Sequence, residues 1–325
     1  MKLYRLTFCA DGQITRIPDA QTIFGALCAA IQMKDGQQKM EEYIHSLKTH
    51  PWFVHTSMFP KGLIPASAKP LLSLSELSSV VGSLSNDTKL SVLSDFKRLK
   101  KFQYMTESVF EHYILQGDFA GLKQKLLNSD QIRIQQSGSL SILQESKDNP
   151  SPFLARTIQQ TRSGAIDIQK DKDLFYQKQM YLSESSELCV FVKSDLDPEQ
   201  FCPYFKMLEY TGIGPYRSSG LNLFRLKKVE EYHFNLPQQE PYAFLLSGCI
   251  PEQGEFNFDQ SFYKIETSSF RGSFSIVGNA FTGTFSKLKE GSLMKTSQKK
   301  DWYGQLIQVE VKGKKLYHYG LGVTI

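Results

Sequence analysis

LCVFVKSDLDPEQFCPYFKMLEYTGIGPYRSSGLNLFRL, residues 188–226, carries the clearest succession of secondary-structure signals in the chain. An apolar, β-branched run over 188–193 indicates a strand. Asp197 then stands at a helix N-cap, with Pro198 at the first helical position and Gln200 where a capping box needs it. This order predicts a strand followed at once by a capped helix.

The second half of this stretch predicts how the helix ends. The helix is expected to run to about Glu209 and to end at Gly212, and the loop GIGPYRSSG then leads into a strand over 221–226. Dinucleotide-binding folds hold phosphates in the order strand, glycine loop, helix, which is the reverse of this one. The order therefore excludes a nucleotide-cofactor site, and no cofactor is expected.

The N-terminal residues predict the other half of the same sheet. Residues 2–9 alternate strictly, Asp19 caps an amphipathic helix that Gly36 ends, and a second helix leads into an aromatic strand over 52–59. Alternation places Arg5 on the sheet face opposite the helices. The apolar residues expected to meet in the helix layer are Tyr4, Leu6, Phe8, Ile23 and Leu27.

The rest of the chain predicts an insertion and then a second strand-rich unit. Residues 72–128 are mostly helical in pattern, and 131–182 return to short strands with turn signals at Ser137-Gly138 and Ser163-Gly164. Polar residues over 229–240 indicate a boundary, and the last 85 or so residues end in a hairpin. We therefore predict an α+β protein of two ferredoxin-like units, 1–230 and 231–325.

The helical insertion also suggests a surface for a partner. Val109, Phe110 and Tyr113 lie near Lys100 and Lys101, a mixture richer in apolar residues than a free surface needs. Internal packing explains the same apolar residues equally well, and both interpretations stay open here.

Composition restricts the class of protein. The 325 residues, 41% of them hydrophobic, suit two globular units, and no apolar run approaches the ~20 residues that span a bilayer. The N-terminus has no signal-peptide pattern, which favours a cytoplasmic protein. The five cysteines have no CxxC spacing and the six histidines no HExxH, so free thiols and no metal site are expected.

The charge is small in total but local in distribution. The net charge is +5, and residues 287–315 hold eight lysines against three acids, while 97–101 contain a second basic cluster. Such clusters can gather phosphates, although a lysine-rich stretch is more often a solvated face.

The loop GIGPYRSSG has residues suited to an RNA backbone. Gly212, Gly214 and Gly220 allow close main-chain approach, and Ser218 and Ser219 are small donors. Tyr216 can stack on a base, and Arg217 can pair with phosphate. An ordinary helix-to-strand turn with a surface arginine is the equally weighted alternative.

Seven stretches in this order resemble one family. They are DAQTIFGAL (19–27), FPKGLIPASAKP (59–70), FKRLKKFQY (96–104), LARTIQQTRSGAI (154–166), LFYQKQMYL (174–182), GIGPYRSSGLNLF (212–224) and YHYGLGVTI (317–325). Across nearly the whole chain, the sequence resembles the repeat-associated (RAMP) subunits that are fourth in the Csm set of type III-A CRISPR effector complexes.

The resemblance implies two ferredoxin-like (RRM-like) RAMP domains, with the helical insertion and a β-hairpin thumb at about 154–182 in the first. It implies a subunit without nuclease activity that grips the repeat-derived 5′ handle of the CRISPR RNA (crRNA). Its implied protein partners are the large polymerase-like signalling subunit and the first backbone RAMP subunit. The residues expected on the RNA are those of the glycine loop together with Arg156, Arg162 and Arg271.

One departure from the family pattern is Pro215, where many relatives have another small or basic residue; proline removes one backbone donor.

Two other functions stay open. A guide-processing endoribonuclease of the same superfamily would need a placed histidine, for which His55 and His318 are lone candidates. A purely structural assembly subunit would use its basic patches only as solvated surface.

Overall fold

The computed structural model describes residues 1–71, 101–127, 131–148, 153–163, 174–235, 242–271, 277–278 and 280–325. The strands that precede residue 195 are β1 (Lys2–Ala10), β2 (Phe53–His55), β3 (Phe59–Pro60), β4 (Leu63–Pro65), β5 (Tyr104–Thr106), β6 (Ile132–Ser137), β7 (Leu140–Glu145), β8 (Ala155–Ser163), β9 (Leu174–Leu182) and β10 (Leu188–Ser194). The later strands are β11 (Phe224–Glu231), β12 (Tyr242–Phe244), β13 (Asn257–Phe262), β14 (Ile265–Arg271), β15 (Phe281–Leu288), β16 (Leu293–Lys295), β17 (Trp302–Val311) and β18 (Lys314–Val323). The longer helices are α1 (Ala20–Asp35), α2 (Gln37–Thr49), α3 (Phe119–Leu127) and α4 (Pro198–Thr211), and a helical turn Glu107–Val109 continues as a π-helix, Phe110–Leu115.

The main sheet has the antiparallel order β11-β1-β10-β2, and β3 also pairs with β10. Both predicted helix caps are present: the Asp19 carboxylate accepts from Thr22 N–H at 2.8 Å, and the Gln200 side chain accepts from Asp197 N–H at 3.1 Å. Helix α1 packs against α2 and α4 on one face of this sheet. The fold is thus a mixed α/β one, rich in sheet.

The predicted faces of β1 are confirmed. Tyr4, Leu6 and Phe8 are at most 3% exposed and share one core with α1. Arg5 lies on the opposite face, where its guanidinium pairs with the carboxylates of Glu230 at 2.9 Å and Glu107 at 3.4 Å.

Two predicted strands have different bounds in the structure. The strand expected over 52–59 is split into β2 and β3, because the intervening residues turn toward α1: Met58 N–H donates to Pro18 O, and the Ser57 hydroxyl accepts from Ala20 N–H. The strand expected from 221 begins at Phe224, since Asn222 has a φ of +59°, which no strand contains.

The apolar residues of the insertion are internal. Val109 and Phe110 are fully buried and Tyr113 is 3% exposed, and the Phe110 ring lies 4.8 Å from that of Phe244. They form a second core beneath the far face of the main sheet. Of the two interpretations, internal packing therefore accounts for these three residues, which are not exposed as a partner surface would require. Residues 72–100 of the insertion, including Lys100, lie outside the described residues.

The C-terminal strands form small antiparallel sheets: β12-β16-β13, β14-β15 and β17-β18. Strand β18 returns to the first core, where the Tyr319 ring stacks on Phe24 at 5.3 Å and Leu321 is fully buried. The boundary at 230/231 stays a prediction, and the hydrophobic cores extend across it.

Strands β8 and β9 form the long antiparallel hairpin expected at 154–182, in register from Ala155↔Leu182 to Ser163↔Leu174. The predicted turn at Ser163-Gly164 reaches residues 164–173, which lie outside the described residues. No helix in the described part of the chain is long and apolar enough to span a membrane.

Candidate nucleic-acid interface

The glycine loop, residues 212–220, has a backbone that few side chains tolerate. Gly212 ends α4 by donating its N–H to Leu208 O at 2.8 Å, and the φ angles of Gly212, Gly214 and Gly220 are +64°, +114° and +76°. A Cβ on Gly212 would also lie 2.9 Å from Asn222 O. Tyr216 has a φ of +59°, an uncommon value for an aromatic residue. The loop therefore approaches neighbouring backbone closely and has a strained, well-defined shape.

Asn222 holds this loop from within. It is 1% exposed, its Nδ2 donates to Pro215 O at 2.6 Å, and its Oδ1 accepts from Thr15 N–H at 2.8 Å. Ile213 N–H donates to the Asn222 carbonyl at 2.9 Å. Sequence reasoning missed Asn222; the signal was a polar amide between Leu221 and Leu223, in a place that should otherwise begin an apolar strand.

Residues 11–18, between β1 and α1, join the glycine loop to the hairpin. Asp11 N–H donates to Leu223 O at 2.9 Å, and Asn222 N–H donates to Gln13 O at 3.0 Å. On the other side Ile14 pairs with Met180 of β9 through both backbone groups, at 3.0 and 2.7 Å. Three segments that are distant in sequence thus form one hydrogen-bonded unit.

The polar side chains of the glycine loop lie at the surface. The Tyr216 ring is 49% exposed, and Ser218 and Ser219 are exposed in a short 3-10 turn. The exposed Arg217 folds back so that its Nη1 donates to Thr211 O at 3.0 Å, at the C-terminus of α4. A guanidinium has five N–H donors, so this one bond leaves others for a ligand.

The hairpin presents a basic and aromatic face. Arg156 is exposed and stands directly opposite Tyr181, which is 37% exposed, so both side chains project from the same face. Farther along β9, Lys178 is exposed and Tyr176 is 71% exposed, and the alternation of a strand places both on the opposite face of the hairpin from Tyr181. Sequence reasoning named Arg156 but missed both tyrosines, although the hairpin register would have paired Tyr181 with it.

The two other predicted arginines are in different surroundings. Arg162 stands opposite Phe175 near the described end of the hairpin. Arg271 ends β14 opposite Phe281, and this hairpin packs against the last one through the His318 ring, 4.8 Å from Phe270 and 4.2 Å from Phe285. The described contacts of its strand thus lead to β18 rather than to the glycine loop.

The two candidate catalytic histidines are both inside the protein. His55 is fully buried, its ring stacks on Tyr319 at 4.6 Å, and burial lowers its pKa to about 4. His318 is 5% exposed, and burial lowers its pKa also. Among the described residues, no group of three His, Cys, Asp or Glu side chains could hold a metal ion.

Several lysines of the basic stretch 287–315 are already engaged. Lys287 is 7% exposed, Lys300 pairs with Glu255 at 3.2 Å, and Lys312 Nζ donates to Val277 O at 3.1 Å. Of the basic cluster at 97–101, only Lys101 belongs to the described residues, and it is exposed. The stretch 287–315 therefore offers fewer free cations than its composition suggests.

No protein-family model matches the sequence, and no curated protein matches it. Solved structures do match it over its whole length. In the Csm3-Csm4 subcomplex of the type III-A CRISPR-Cas interference complex, one chain is 16% identical with a TM-score of 0.63, and the match covers 100% of this chain and 98% of that chain. In the Csm1-Csm4 cassette bound to pppApA, one chain is 17% identical with a TM-score of 0.60, and the match covers 100% of this chain and 97% of that chain. In the same cassette bound to AMPPNP, one chain is 18% identical with a TM-score of 0.59, and the match covers 100% of this chain and 97% of that chain.

Csm4 is the subunit that these two kinds of complex have in common. At 16–18% identity the likeness establishes the fold. This chain therefore has, from end to end, the fold of a Csm4-like subunit of type III-A CRISPR-Cas complexes.

Proposed function

We propose that this chain is a non-catalytic, RNA-binding subunit of a type III-A CRISPR interference complex, where it grips the 5′ handle of the crRNA. The observation that carries the proposal is the joined surface of glycine loop and hairpin, in a chain that has the Csm4-like fold along its full length. The glycine loop exposes Tyr216 and Arg217, and the hairpin exposes Arg156 and Tyr181.

This surface suits a single-stranded RNA by two kinds of contact. The positive-φ backbone of the glycine loop can direct N–H groups toward phosphate oxygens, with Ser218 and Ser219 as further donors. Arg217 supplies a planar cation for one phosphate, and Tyr216 an exposed ring for one base. Arg156 and Tyr181 repeat this pairing of cation and ring on the hairpin. We propose that Arg162 and Arg271 contribute further positive charge to the binding of the handle.

The fold supports the finer domain assignment in part. The order β11-β1-β10-β2, with α1 and α4 on one face, supports a ferredoxin-like domain, whose elements follow one another as β-α-β-β-α-β. We propose that this is the N-terminal RAMP domain, with the β8–β9 hairpin as its thumb, and that residues 231–325 contain the second.

The complexes that contain its structural neighbours suggest the partners. Those chains crystallise with Csm1 or with Csm3. We propose that this chain bridges the corresponding large signalling subunit and backbone subunit in the same way.

A processing endoribonuclease is the less favoured alternative. Metal-independent cleavage of RNA needs a general acid or base within hydrogen-bond reach of the scissile phosphate. His55 and His318, the two candidates, are 0% and 5% exposed. Their burial favours a subunit that holds RNA without cutting it.

The test is incubation of the purified chain with 5′-labelled repeat RNA, followed by native and denaturing electrophoresis. Retention of intact RNA supports the proposal, with a scrambled RNA of equal length as the control. Cleavage would identify a processing enzyme, and neither retention nor cleavage would identify a structural assembly subunit.

A further inference from the structure

We infer that Asn222 is the positioning residue of the RNA-binding surface: its buried side-chain amide fixes the glycine loop and couples it to the β8–β9 hairpin. The inference rests on the proposed function for its RNA readout, and on the hydrogen bonds alone for the coupling.

The amide makes hydrogen bonds of opposite polarity to two different segments, and the Thr15 hydroxyl also lies within hydrogen-bond distance of both ends of the amide, 3.2 Å from Oδ1 and 3.1 Å from Nδ2. Nδ2 donates to Pro215 O at 2.6 Å in the glycine loop, and Oδ1 accepts from Thr15 N–H at 2.8 Å in the β1–α1 segment. A carbonyl can only accept and a backbone N–H can only donate, so these partners fix the orientation of the amide. One side chain thereby adds a second connection between two loops that the backbone bonds Asp11 N–H to Leu223 O and Asn222 N–H to Gln13 O already join.

The backbone of Asn222 needs the same residue type. Its φ is +59° at 1% exposure, a left-handed conformation that glycine and asparagine adopt most readily. Glycine would satisfy this backbone but would leave Pro215 O and Thr15 N–H without their present partner. Asparagine supplies both the conformation and the two bonds.

The hydrogen bond from Asn222 to Pro215 O controls how the loop presents its side chains. Pro215 has no N–H, and its carbonyl is held by Asn222 directly before Tyr216, which is itself at a φ of +59°. Fixing this carbonyl fixes the peptide plane that leads into Tyr216 and Arg217. The ring of Tyr216 is therefore pre-positioned before RNA arrives, which lowers the ordering cost of binding.

The hydrogen bond from Thr15 N–H to Asn222 connects the glycine loop to the hairpin. Thr15 follows Ile14, whose backbone pairs with Met180 at 3.0 and 2.7 Å, and Met180 precedes the exposed Tyr181. This sequence of contacts joins the glycine loop to the base of β9 through bonded neighbours, so the two RNA-contacting segments form one rigid unit.

Two substitutions distinguish the effect of the bond to Pro215 O from that of the bond to Thr15 N–H. Asn222→Asp keeps an oxygen for Thr15 N–H but puts a second oxygen against Pro215 O, so it releases only the loop. Asn222→Gly keeps the left-handed backbone and removes all the side-chain hydrogen bonds, to Thr15 and to Pro215 O. The control is Asn257→Asp, since Asn257 is an exposed asparagine at the start of β13 whose side chain accepts from Gln260 N–H.

Handle-RNA affinity and amide hydrogen exchange are measured on each variant. Asn222→Asp and Asn222→Gly should bind about tenfold more weakly, the change expected from one or two lost hydrogen bonds. In the Asn222→Asp background, Tyr216→Ala should cause no further loss, because the ring is already displaced. Exchange at Ile14 and Met180 should accelerate in Asn222→Gly and stay protected in Asn222→Asp.

Wild-type affinity in Asn222→Asp, or a full additional loss from Tyr216→Ala, overturns the positioning role. Unchanged exchange at Ile14 and Met180 in Asn222→Gly overturns the coupling. If the wild-type chain binds no handle RNA, the proposed function fails, and the exchange measurement still decides the coupling by itself.

Discussion

Replacing Arg217 with alanine removes a cation that is exposed on the glycine loop and that makes one internal hydrogen bond, to Thr211 O at 3.0 Å. If Arg217 holds one handle phosphate, affinity should fall roughly tenfold, and the slope of log K against log salt should become shallower by about 0.7 for single-stranded RNA. The lost cap at the end of α4 should cost at most about 1 kcal/mol of unfolding free energy, or a Tm change of about 2–4 °C.

The assay is fluorescence anisotropy with labelled handle RNA at four salt concentrations, with thermal unfolding of the same samples. Arg225→Ala is the matched control, because it removes the same charge from another exposed arginine, whose partner is Asp11 at 2.7 Å. Arg217→Lys should fall between wild type and Arg217→Ala, since lysine keeps the charge but not the planar fork.

Wild-type affinity and salt slope in Arg217→Ala, or an equal loss of affinity in Arg225→Ala, would show that Arg217 holds no handle phosphate. The loop would then be a plain turn, and the basic stretch 287–315 would become the better candidate.

Three further variants test the loop, the core and the titration of the interior. Gly214→Val should weaken handle binding more than Arg217→Ala, since valine is strained at a φ of +114°; equal affinities of the two in the anisotropy assay would contradict this. Phe110→Ala should cost roughly 3–5 kcal/mol in urea unfolding because Phe110 is fully buried, and a loss below about 1 kcal/mol would mean that it is a surface residue after all. Burial lowers the folded-state pKa of His55 to about 4, so as the pH falls the imidazole is protonated in the unfolded chain before it is protonated in the folded one. Protonation of His55 should therefore lower the free energy of unfolding by about 2 kcal/mol between pH 7 and pH 5. His55→Gln should lose that part of the pH dependence, and identical urea profiles of variant and wild type at both pH values would count against it.

The parts of the fold that depend on local signals could be predicted from the sequence. The caps at Asp19 and Asp197 involve residues three positions away, and the alternation of β1 reports its own two faces. The helix stop at Gly212 is local in the same sense. These signals determine each element without reference to distant residues.

The placement of the insertion could not be predicted in this way. The pattern of Val109 and Phe110 shows that they must be covered, but a partner and an internal core cover them equally well. Phe110 contacts Phe244, which is more than a hundred residues away, so only the tertiary structure decides between the two.

The candidate site was predictable by residue type and not by arrangement. Tyr216 and Arg217 could be named from the loop, whereas Asn222 bonds to Thr15 across 207 positions, and no local pattern reports such a bond. Arg217 was expected to be a simple surface cation, and its bond to Thr211 O shows that it also caps α4.

Ultraviolet cross-linking of the chain to handle RNA that contains 4-thiouridine, followed by mass spectrometry of the cross-linked peptides, shows whether the glycine loop and the hairpin together bind the RNA. We expect adducts at Tyr216 and Tyr181, within peptides from 212–222 and 174–182. Adducts confined to 287–315, with both tyrosines unmodified, would contradict this expectation.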